Sequence, residues 1–345
     1  MTDSRIDLRS DTVTQPTAAM YERMRNAPLG DDGLDGDPTA RELEEVAAHK
    51  LGKEAGIFVP TATMANLLAV LSQAERQAQV ALESTSHMFT SERGAATLTG
   101  LFYAGIPGQA GAMDLEALKQ LLTNAGALRC ALVCMETTHN NAGGTALPLA
   151  HMHAVAELAR GSGACVHVDG ARLFNASVAR GVPVNVLAQA ADTVSLCLSK
   201  GLSAPTGAVL VGPRTTMEKA RRLRKMLGGT QRQAGVMAAA GLEALQTMAD
   251  RLVEDHVRAR RLSQALNSIH PDLRASVPDT NIVMLDLPAP EHDSGVWVQE
   301  LARAGVLVRR WGARRLRLVT HRHIDDTSLE AALGALRATA EQLLA

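Results

Sequence analysis

Two short segments of this chain contain ionisable residues directly after apolar runs. Asp169 follows the run from Ala164 to Val168, and Lys200 follows the run from Thr193 to Leu198. A lysine amine can form a Schiff base with the aldehyde of pyridoxal phosphate (PLP), and a carboxylate can keep the pyridine nitrogen protonated so that the ring accepts a carbanion's electrons. The pair indicates a PLP site, although an Asp after a strand is commonly a turn or helix cap and a lone Lys is commonly solvated.

The elements around these residues predict how they could meet. Strand-like apolar runs alternate with helical patterns through most of the chain, which predicts an α/β fold with a mainly parallel sheet and helices on both faces. Ligands of such sheets bind at the carboxyl ends of the strands, where Asp169 and Lys200 both fall. A helix over Thr63 to Arg76, capped by Thr61 or Thr63, follows the first of these strands. The predicted strands are 57–60, 131–135, 164–168, 193–198 and 208–211.

The alternation changes after about Asp250. An Arg-rich helix, short strands and a terminal helix from Thr327 to Leu344 indicate an α+β unit. Since 345 residues are long for one compact layer, we expect a large domain over 1–249 and a smaller C-terminal domain over 250–345. The first forty residues, rich in Gly and Asp at 30–39, are predicted to be mostly loop, as turn chemistry or as the rim of an active site.

Composition excludes several classes of function. Lys and Arg (35) nearly balance Asp and Glu (36), so nothing suggests binding to nucleic acid or to an anionic membrane. No segment is long and apolar enough to span a bilayer, and no charged start precedes an apolar run at the N terminus. The cysteines lie within apolar runs without metal-ligand spacing, so we expect buried thiols, no metal and a cytoplasmic enzyme. They are Cys130, Cys134, Cys165 and Cys197.

A series of ordered segments covers nearly the whole chain: 7–14, 30–32 with 37–39, 86–87, 136–140 with 143–144, 167–175, 198–202 with 204–205, 224–229 and 317–321. Together they resemble the L-threonine aldolase family, low-specificity type, which belongs to the fold type I PLP enzymes and the β-eliminating lyase group. The resemblance implies a mainly parallel seven-stranded-type sheet flanked by helices, a smaller α+β domain, and PLP as the cofactor.

The same resemblance implies which residues hold the cofactor. Lys200 would be joined to it, Asp169 would pair with the pyridine nitrogen, and His87 would stack on the ring. The phosphate would lie at the helix N-terminus around Ala62 and Thr63, where free N–H groups and the helix dipole favour a dianion. In this chain 61–63 reads Thr-Ala-Thr in place of the usual Ser-Gly-Thr.

Further cofactor contacts are implied across a subunit boundary. Lys225 and Arg232 would reach into the cofactor site of a neighbouring subunit, in a homotetramer built as a dimer of dimers. The basic cluster at 221–225 would otherwise be a solvated helix face.

The substrate contacts follow from the resemblance in the same way. Ser10, Arg172 and Arg317 would bind the carboxylate of an amino acid, and Arg172 could instead reach the 3-oxygen of the cofactor. His87 and His139 could each accept a hydroxyl proton, because an imidazole titrates near neutral pH.

Two positions depart from the family pattern. Leu34 and Ser91 stand where family members commonly have tyrosines. Both changes remove a phenolic hydroxyl and bulk from the expected rim. They predict a roomier site that accepts larger aldehydes, including aromatic ones, with weaker selectivity between threo and erythro substrates.

The expected reaction is reversible retro-aldol cleavage of L-threonine, L-allo-threonine and related L-β-hydroxy-α-amino acids to glycine and an aldehyde. Its partners are therefore a small-molecule amino acid and aldehyde. One alternative is a PLP-dependent β-eliminating or dehydrating lyase, which would release ammonia and a keto acid. Another is a PLP-binding protein without catalysis. A dinucleotide-dependent dehydrogenase is not favoured, because no Gly-x-Gly-x-x-Gly follows a first strand.

Overall fold

The computed structural model describes residues 5–92, 94–124, 128–288 and 293–344. The chain divides into two compact units. The large unit comprises residues 15–249, and the small unit comprises the chain up to residue 14 together with the chain from residue 250 onward. The first fourteen residues thus group with the C-terminal part, whereas the sequence analysis assigned them to the larger domain.

The elements alternate through the large unit as the sequence pattern predicts. In chain order the strands are β1 (Ile6–Asp7), β2 (Ala55–Val59), β3 (Gln79–Glu83), β4 (Phe102–Ile106), β5 (Gly108–Gln109), β6 (Ala112–Met113), β7 (Cys130–Glu136), β8 (Cys165–Asp169), β9 (Thr193–Cys197), β10 (Ala208–Gly212), β11 (Arg274–Ala275), β12 (Ile282–Asp286), β13 (Val306–Leu307), β14 (Arg309–Gly312) and β15 (Arg315–Val319). The helices are α1 (Ala18–Arg25), α2 (Pro38–Lys50), α3 (Ala62–Gln73), α4 (His87–Thr90), α5 (Gly94–Thr99), α6 (Leu115–Thr123), α7 (Leu149–Gly161), α8 (Leu173–Arg180), α9 (Val184–Ala188), α10 (Arg214–Met226), α11 (Gly235–Thr247), α12 (Leu252–Asn267), α13 (Ser294–Arg303) and α14 (Asp326–Leu344).

A seven-stranded sheet forms the centre of the large unit, in the order β2-β10-β9-β8-β7-β3-β4. Strand β10 is antiparallel to both of its neighbours, and the other pairs are parallel. Every residue of β9 and β10 is buried, as expected where both faces of a sheet are covered, although β9 includes the polar Thr193 and Ser195. The predicted α/β class and mainly parallel sheet are confirmed.

The strand register brings the ends of several strands to one edge of this sheet. Ala208 pairs with both Cys197 and Val59, so β9 and β2 end at the same level. Asp169 pairs with Glu136 on one side and with Ser195 on the other. Strand β3 runs parallel to β7 and ends beside it. We call this the carboxyl edge, defined by Val59, Glu83, Glu136, Asp169 and Cys197.

Local signals explain where the helices next to this edge begin and end. The Thr61 side chain accepts from the Met64 amide, so Thr61 and not Thr63 is the N-cap of α3. Helices α10 and α11 are separated by a break after Met226, and Gly228 adopts a positive φ of 75° just after α10. The first forty residues contain the helix α1, capped by Thr17, which the loop-rich composition did not reveal.

The small unit is an α+β arrangement. Its four-stranded antiparallel sheet has the order β11-β12-β15-β14, and β1 pairs with β13 in parallel. Helices α12, α13 and α14 bury Leu262, Trp297 and Leu336 in the same apolar cluster as Leu316 of β15. None of the helices in the described parts of the chain combines the length and hydrophobicity needed to cross a bilayer.

Helix α2 and strand β2 lie so close together that one added methyl group should disturb their packing. A Cβ added at Gly56 would lie 2.6 Å from the backbone oxygen of Glu44. Because that oxygen cannot move without displacing α2, we expect Gly56→Ala to lower the free energy of unfolding by about 1–3 kcal/mol. Gly161→Ala is the matched control, since no heavy atom lies within 4 Å of its added Cβ. Urea denaturation followed by circular dichroism measures both variants, and equal effects would contradict the close approach.

Candidate active site

The Asp169 carboxylate is held in one orientation at the end of β8. Its side chain is buried, Oδ1 accepts from the Ala171 amide at 3.0 Å, and Oδ2 accepts from Asn66 Nδ2 at 3.0 Å. Asn66 lies on α3, which packs on the sheet. Two N–H donors satisfy the buried carboxylate and fix its orientation, so the site presents a fixed acceptor at the strand end.

Lys200 lies in the loop that leaves the sheet from the neighbouring strand. Asp169 pairs with Ser195 of β9, and the chain reaches Lys200 just after β9 ends. The Ser203 amide donates to the Lys200 carbonyl at 2.8 Å, which closes this loop into a tight turn. Lys200 is half-buried. The fold therefore brings the two residues singled out by the sequence to the ends of adjacent parallel strands.

The N-terminus of α3 opens at the same carboxyl edge. Strand β2 ends at Val59, and α3 begins at Ala62. The Thr61 side chain accepts a hydrogen bond from the Met64 amide. The amides of Ala62 and Thr63 lie in the first turn of the helix, where backbone N–H groups have no intrahelical acceptors. Such a terminus favours an anion through its N–H groups and dipole. Thr206 Oγ1 donates to the Pro60 carbonyl at 3.1 Å, which ties the chain that follows Lys200 to the approach to α3.

His87 begins α4 directly after β3 and is paired with a carboxylate. Its Nδ1 lies 2.8 Å from Glu92 Oε1, and the Glu92 side chain is buried whereas that of His87 is partly exposed. The hydrogen bond to Glu92 raises the pKa of His87, against the opposing effect of burial, and the negative charges of Glu92, Asp169 and Glu136 act in the same direction. One ligand atom each from His87, Glu92 and Asp169 lie within 4.8 Å of one another, a spacing that would also allow a cation.

His139 has a different environment on the same edge. Its side chain is fully buried, Nε2 lies 3.0 Å from Glu83 Oε2, and Nδ1 accepts from the Ala142 amide at 3.2 Å. Burial lowers the pKa of His139, but the hydrogen bond to Glu83 and the charges of Glu136 and Glu83 outweigh it and raise the pKa. Because an amide hydrogen can only point at a bare nitrogen, the ring has its hydrogen on Nε2. In this arrangement neither nitrogen can accept a substrate proton.

Sequence reasoning missed two acidic residues that complete the carboxyl edge. Glu83 ends β3 and Glu136 ends β7, so neighbouring parallel strands β3, β7 and β8 all terminate on a buried carboxylate. Burial would raise the pKa of Glu83, but hydrogen bonds from His139 and Thr85 lower it. Burial raises the pKa of Glu136. The signal was an acid at the end of each apolar run, the same pattern that identified Asp169.

The remaining residues predicted in the large unit fall into a buried and an exposed group. Arg172 is buried at the start of α8. Leu34 is exposed, as is Ser91 at the end of α4. Lys225 is exposed on α10, and the largely exposed Arg232 places Nη1 3.4 Å from an oxygen of Asp31, in the same loop as Leu34.

Ser10 and Arg317 belong to the small unit, where Arg317 contacts the residue that precedes Ser10. Ser10 Oγ accepts from the Thr12 amide at 3.2 Å, and Arg317 Nη1 donates to the carbonyl of Arg9 at 3.2 Å. The Arg317 guanidinium also lies over the Trp311 ring, 5.1 Å from its centroid. Only 1% of Arg317 is exposed, so it is a buried cation and not the surface strand arginine that its position in a short strand would suggest.

The chain is similar to known proteins in both sequence and fold. The family model described as beta-eliminating lyase matches residues 7–290. Low-specificity L-threonine aldolase 1 of Arabidopsis thaliana is 41% identical over 345 residues, which cover 96% of this chain and 95% of that protein. The low specificity L-threonine aldolase of Escherichia coli strain K12 is 39% identical over 329 residues, 94% of this chain and 96% of that protein. In fold, the chain resembles a threonine aldolase structure from Leishmania major, with a TM-score of 0.81 and 16% identity over 99% of this chain and 100% of that one.

The pairing of His87 with Glu92 can be tested by titration. Glu92→Gln removes the negative charge next to Nδ1, so we expect the pKa of His87 to fall relative to the wild type. The NMR signals of the histidine Cε1 atoms, assigned with His87→Asn, follow this titration directly. His139 is an internal control, since Glu83 and not Glu92 is its hydrogen-bonded carboxylate. An unchanged His87 titration in Glu92→Gln would show that the two side chains are not paired in solution.

Proposed function

This chain belongs to the β-eliminating lyase family, in which its relatives include low-specificity L-threonine aldolases, and on that premise we propose that it is a PLP-dependent L-threonine aldolase. It cleaves L-threonine and related L-β-hydroxy-α-amino acids to glycine and an aldehyde. The observation that supports this best is the strand register, because the pairing of Asp169 with Ser195 brings a fixed carboxylate and the Lys200 loop to adjacent strand ends.

The side chains at the carboxyl edge fit PLP by their chemistry. Asp169 offers a carboxylate whose two oxygens already have N–H donors, Lys200 offers an amine, and the first turn of α3 at Ala62 and Thr63 offers free amides for the phosphate. His87 offers a flat ring beside Asp169. When bound, the cofactor supplies an electron-accepting pyridinium ring that can take up the electron pair released at the substrate α-carbon.

The protein's own groups then have separate tasks. Asp169 would keep the ring nitrogen protonated, and Lys200 would hold the cofactor covalently before substrate arrives. A base must remove the β-hydroxyl proton before the Cα–Cβ bond can break. We assign this to His87 Nε2, since Nδ1 faces Glu92 and no partner of Nε2 is found in the described parts of the chain, whereas both nitrogens of His139 are engaged. Glu92 supports this by raising the pKa of His87.

Binding of the substrate carboxylate selects which bond breaks, because the bond held perpendicular to the ring is the one that is cleaved. Arg172, buried at the start of α8 just beyond Asp169, is our candidate in the large unit. The assignment of Ser10 and Arg317 to the same carboxylate stays a prediction from the sequence.

We also propose an assembly and a cellular location. Lys225 and Arg232 are exposed, whereas Arg224, the residue before Lys225, is buried and lies 2.6 Å from Asp32. The exposure of these two cations supports the sequence-based proposal that they reach the cofactor site of a neighbouring subunit in a homotetramer. The four cysteines are free, which supports a reducing compartment such as the cytoplasm.

The proposed reaction is tested with Lys200→Ala. Without the amine that holds the cofactor, we expect turnover to be lost while circular dichroism stays that of the wild type. The assay supplies L-threonine and PLP and measures glycine and acetaldehyde. Borohydride reduction followed by mass spectrometry should add the cofactor mass to the wild type but not to Lys200→Ala.

Lys119→Ala, on the exposed face of α6, is the matched control and should keep both signals. Full turnover by Lys200→Ala would overturn the assignment of Lys200. Release of ammonia and a keto acid in place of glycine would instead establish the β-eliminating lyase alternative.

The width of the substrate site is tested at Ser91 and Leu34. Since both are exposed and lack the bulk of a tyrosine, we expect the wild type to cleave L-threonine, L-allo-threonine and L-phenylserine. Ser91→Tyr and Leu34→Tyr should each lower kcat/KM for L-phenylserine relative to L-threonine by about tenfold.

Leu128→Tyr provides the control, because Leu128 is an exposed leucine just before β7 begins, at the opposite end of that strand from the carboxyl edge. Steady-state kinetics on the three substrates decide the matter. Strict use of one threonine diastereomer by the wild type would contradict the roomier site.

A further inference from the structure

A series of buried hydrogen bonds leads from Asp169 into the core of the large unit. Asn66 Nδ2 donates to Asp169 Oδ2 at 3.0 Å, and Asn66 Oδ1 lies 3.1 Å from His167 Nε2. His167 Nδ1 lies 2.9 Å from Thr193 Oγ1, which accepts from Gln73 Nε2 at 2.8 Å. We call Asn66, His167, Thr193 and Gln73 the polar series.

The direction of every hydrogen bond in the polar series follows from its charged end. An ionised Asp169 can only accept, so Asn66 must direct its NH₂ toward it, and the neighbouring carboxylate of Glu92, 3.3 Å from the same Nδ2, requires the same orientation. Asn66 Oδ1 then accepts, from Ser195 Oγ at 2.8 Å and from His167. His167 therefore has its hydrogen on Nε2.

The other ring nitrogen of His167, Nδ1, faces Thr193. Nδ1 is bare and accepts from the Thr193 hydroxyl, whose oxygen in turn accepts from Gln73. Burial lowers the pKa of His167 to about 4, which is consistent with a neutral ring at physiological pH. Asn66 and Gln73 can both face the sheet because helix positions i and i+7 share one side of α3.

The position of the polar series is not explained by stability alone. Asn66, His167, Thr193 and Ser195 are at most 1% exposed, and Asn66 lies on α3, where most of the other buried residues, such as Ala69, are apolar. Burying polar side chains costs free energy unless all are bonded, and apolar side chains of similar volume would fill the same space without that requirement. Each side-chain polar atom of Asn66, His167 and Thr193 is nevertheless bonded, and the series ends on the carboxylate assigned to the cofactor.

We propose that Asn66 and His167 are positioning residues that keep the Asp169 carboxylate charged and oriented toward the pyridine nitrogen of the cofactor. His167 orients the Asn66 amide, and the Asn66 amide orients Asp169. Loss of either residue would weaken the stabilisation of the protonated ring without touching the reacting atoms. The inference rests on the proposed function, because it assumes that Asp169 faces that nitrogen.

The test uses holoenzyme loaded with PLP labelled with ¹⁵N at the pyridine nitrogen, whose NMR shift reports protonation independently of turnover. In the wild type we expect the shift of a pyridinium. Asn66→Leu removes the donor to Asp169 without adding a charge, and His167→Leu removes the donor to Asn66, so both should move the shift toward that of unprotonated pyridine. Both should also weaken equilibrium binding of PLP to the apoenzyme by about 10- to 100-fold.

The matched variant is His167→Gln, whose amide can donate to Asn66 and accept from Thr193, and which should keep the pyridinium shift. Circular dichroism checks that each variant folds. If His167→Leu does not fold, Thr193→Val compared with Thr193→Ser tests the same series, with loss of the pyridinium shift expected only for valine.

The variant Asp169→Asn distinguishes a failure of this inference from a failure of the proposed function. Asp169→Asn is the reference that should abolish the pyridinium shift. If the wild type lacks that shift, or Asp169→Asn leaves it unchanged, the proposed role of Asp169 is wrong and the inference falls with it. If Asp169→Asn abolishes the shift but Asn66→Leu keeps it, the role of Asp169 stands and the polar series is merely structural.

Discussion

Buried negative charge at the ends of neighbouring parallel strands is the constraint on which the site depends. Glu83, Glu136 and Asp169 are each at most 4% exposed, and an unpaired buried carboxylate is too costly to be retained. Each therefore receives a backbone N–H from the loop that follows its own strand, from Thr85, Asn140 and Ala171. The loops fold back over the strand ends for this reason, and that path places His87, His139 and Arg172 around the carboxyl edge.

The same constraint distinguishes the two histidines. His139 is buried, and its two ring nitrogens bond to Glu83 and to the Ala142 amide. These two hydrogen bonds fix the loop after β7 against the end of β3. Among the described residues, His87 has a hydrogen-bond partner on one ring nitrogen only, Glu92 on Nδ1, and its side chain remains partly open to solvent. A carboxylate partner raises the pKa of both rings, but only His87 combines that effect with accessibility. Environment, and not residue type, decides which of them can exchange a proton.

Helix α3 connects the two ends of the proposed cofactor site. Its first turn, at Ala62 and Thr63, opens on the carboxyl edge with amides that have no intrahelical acceptors, while Asn66 of the next turn reaches Asp169. One rigid element therefore relates the group proposed to bind phosphate to the carboxylate proposed to face the ring. The Thr61 cap determines where this helix begins, and hence the level of both groups relative to the sheet.

The sequence by itself determined the α/β alternation, the cap candidates of α3 and the family resemblance, because these depend on local patterns of residue type. It also singled out Asp169 and Lys200 as candidate site residues, since each follows an apolar run. It could not reveal that β10 is antiparallel to its neighbours, or that Asn66 would meet a carboxylate 103 residues away. Contacts of that kind depend on strand order and on how a helix lies across the sheet, and only the packing of the whole unit decides those.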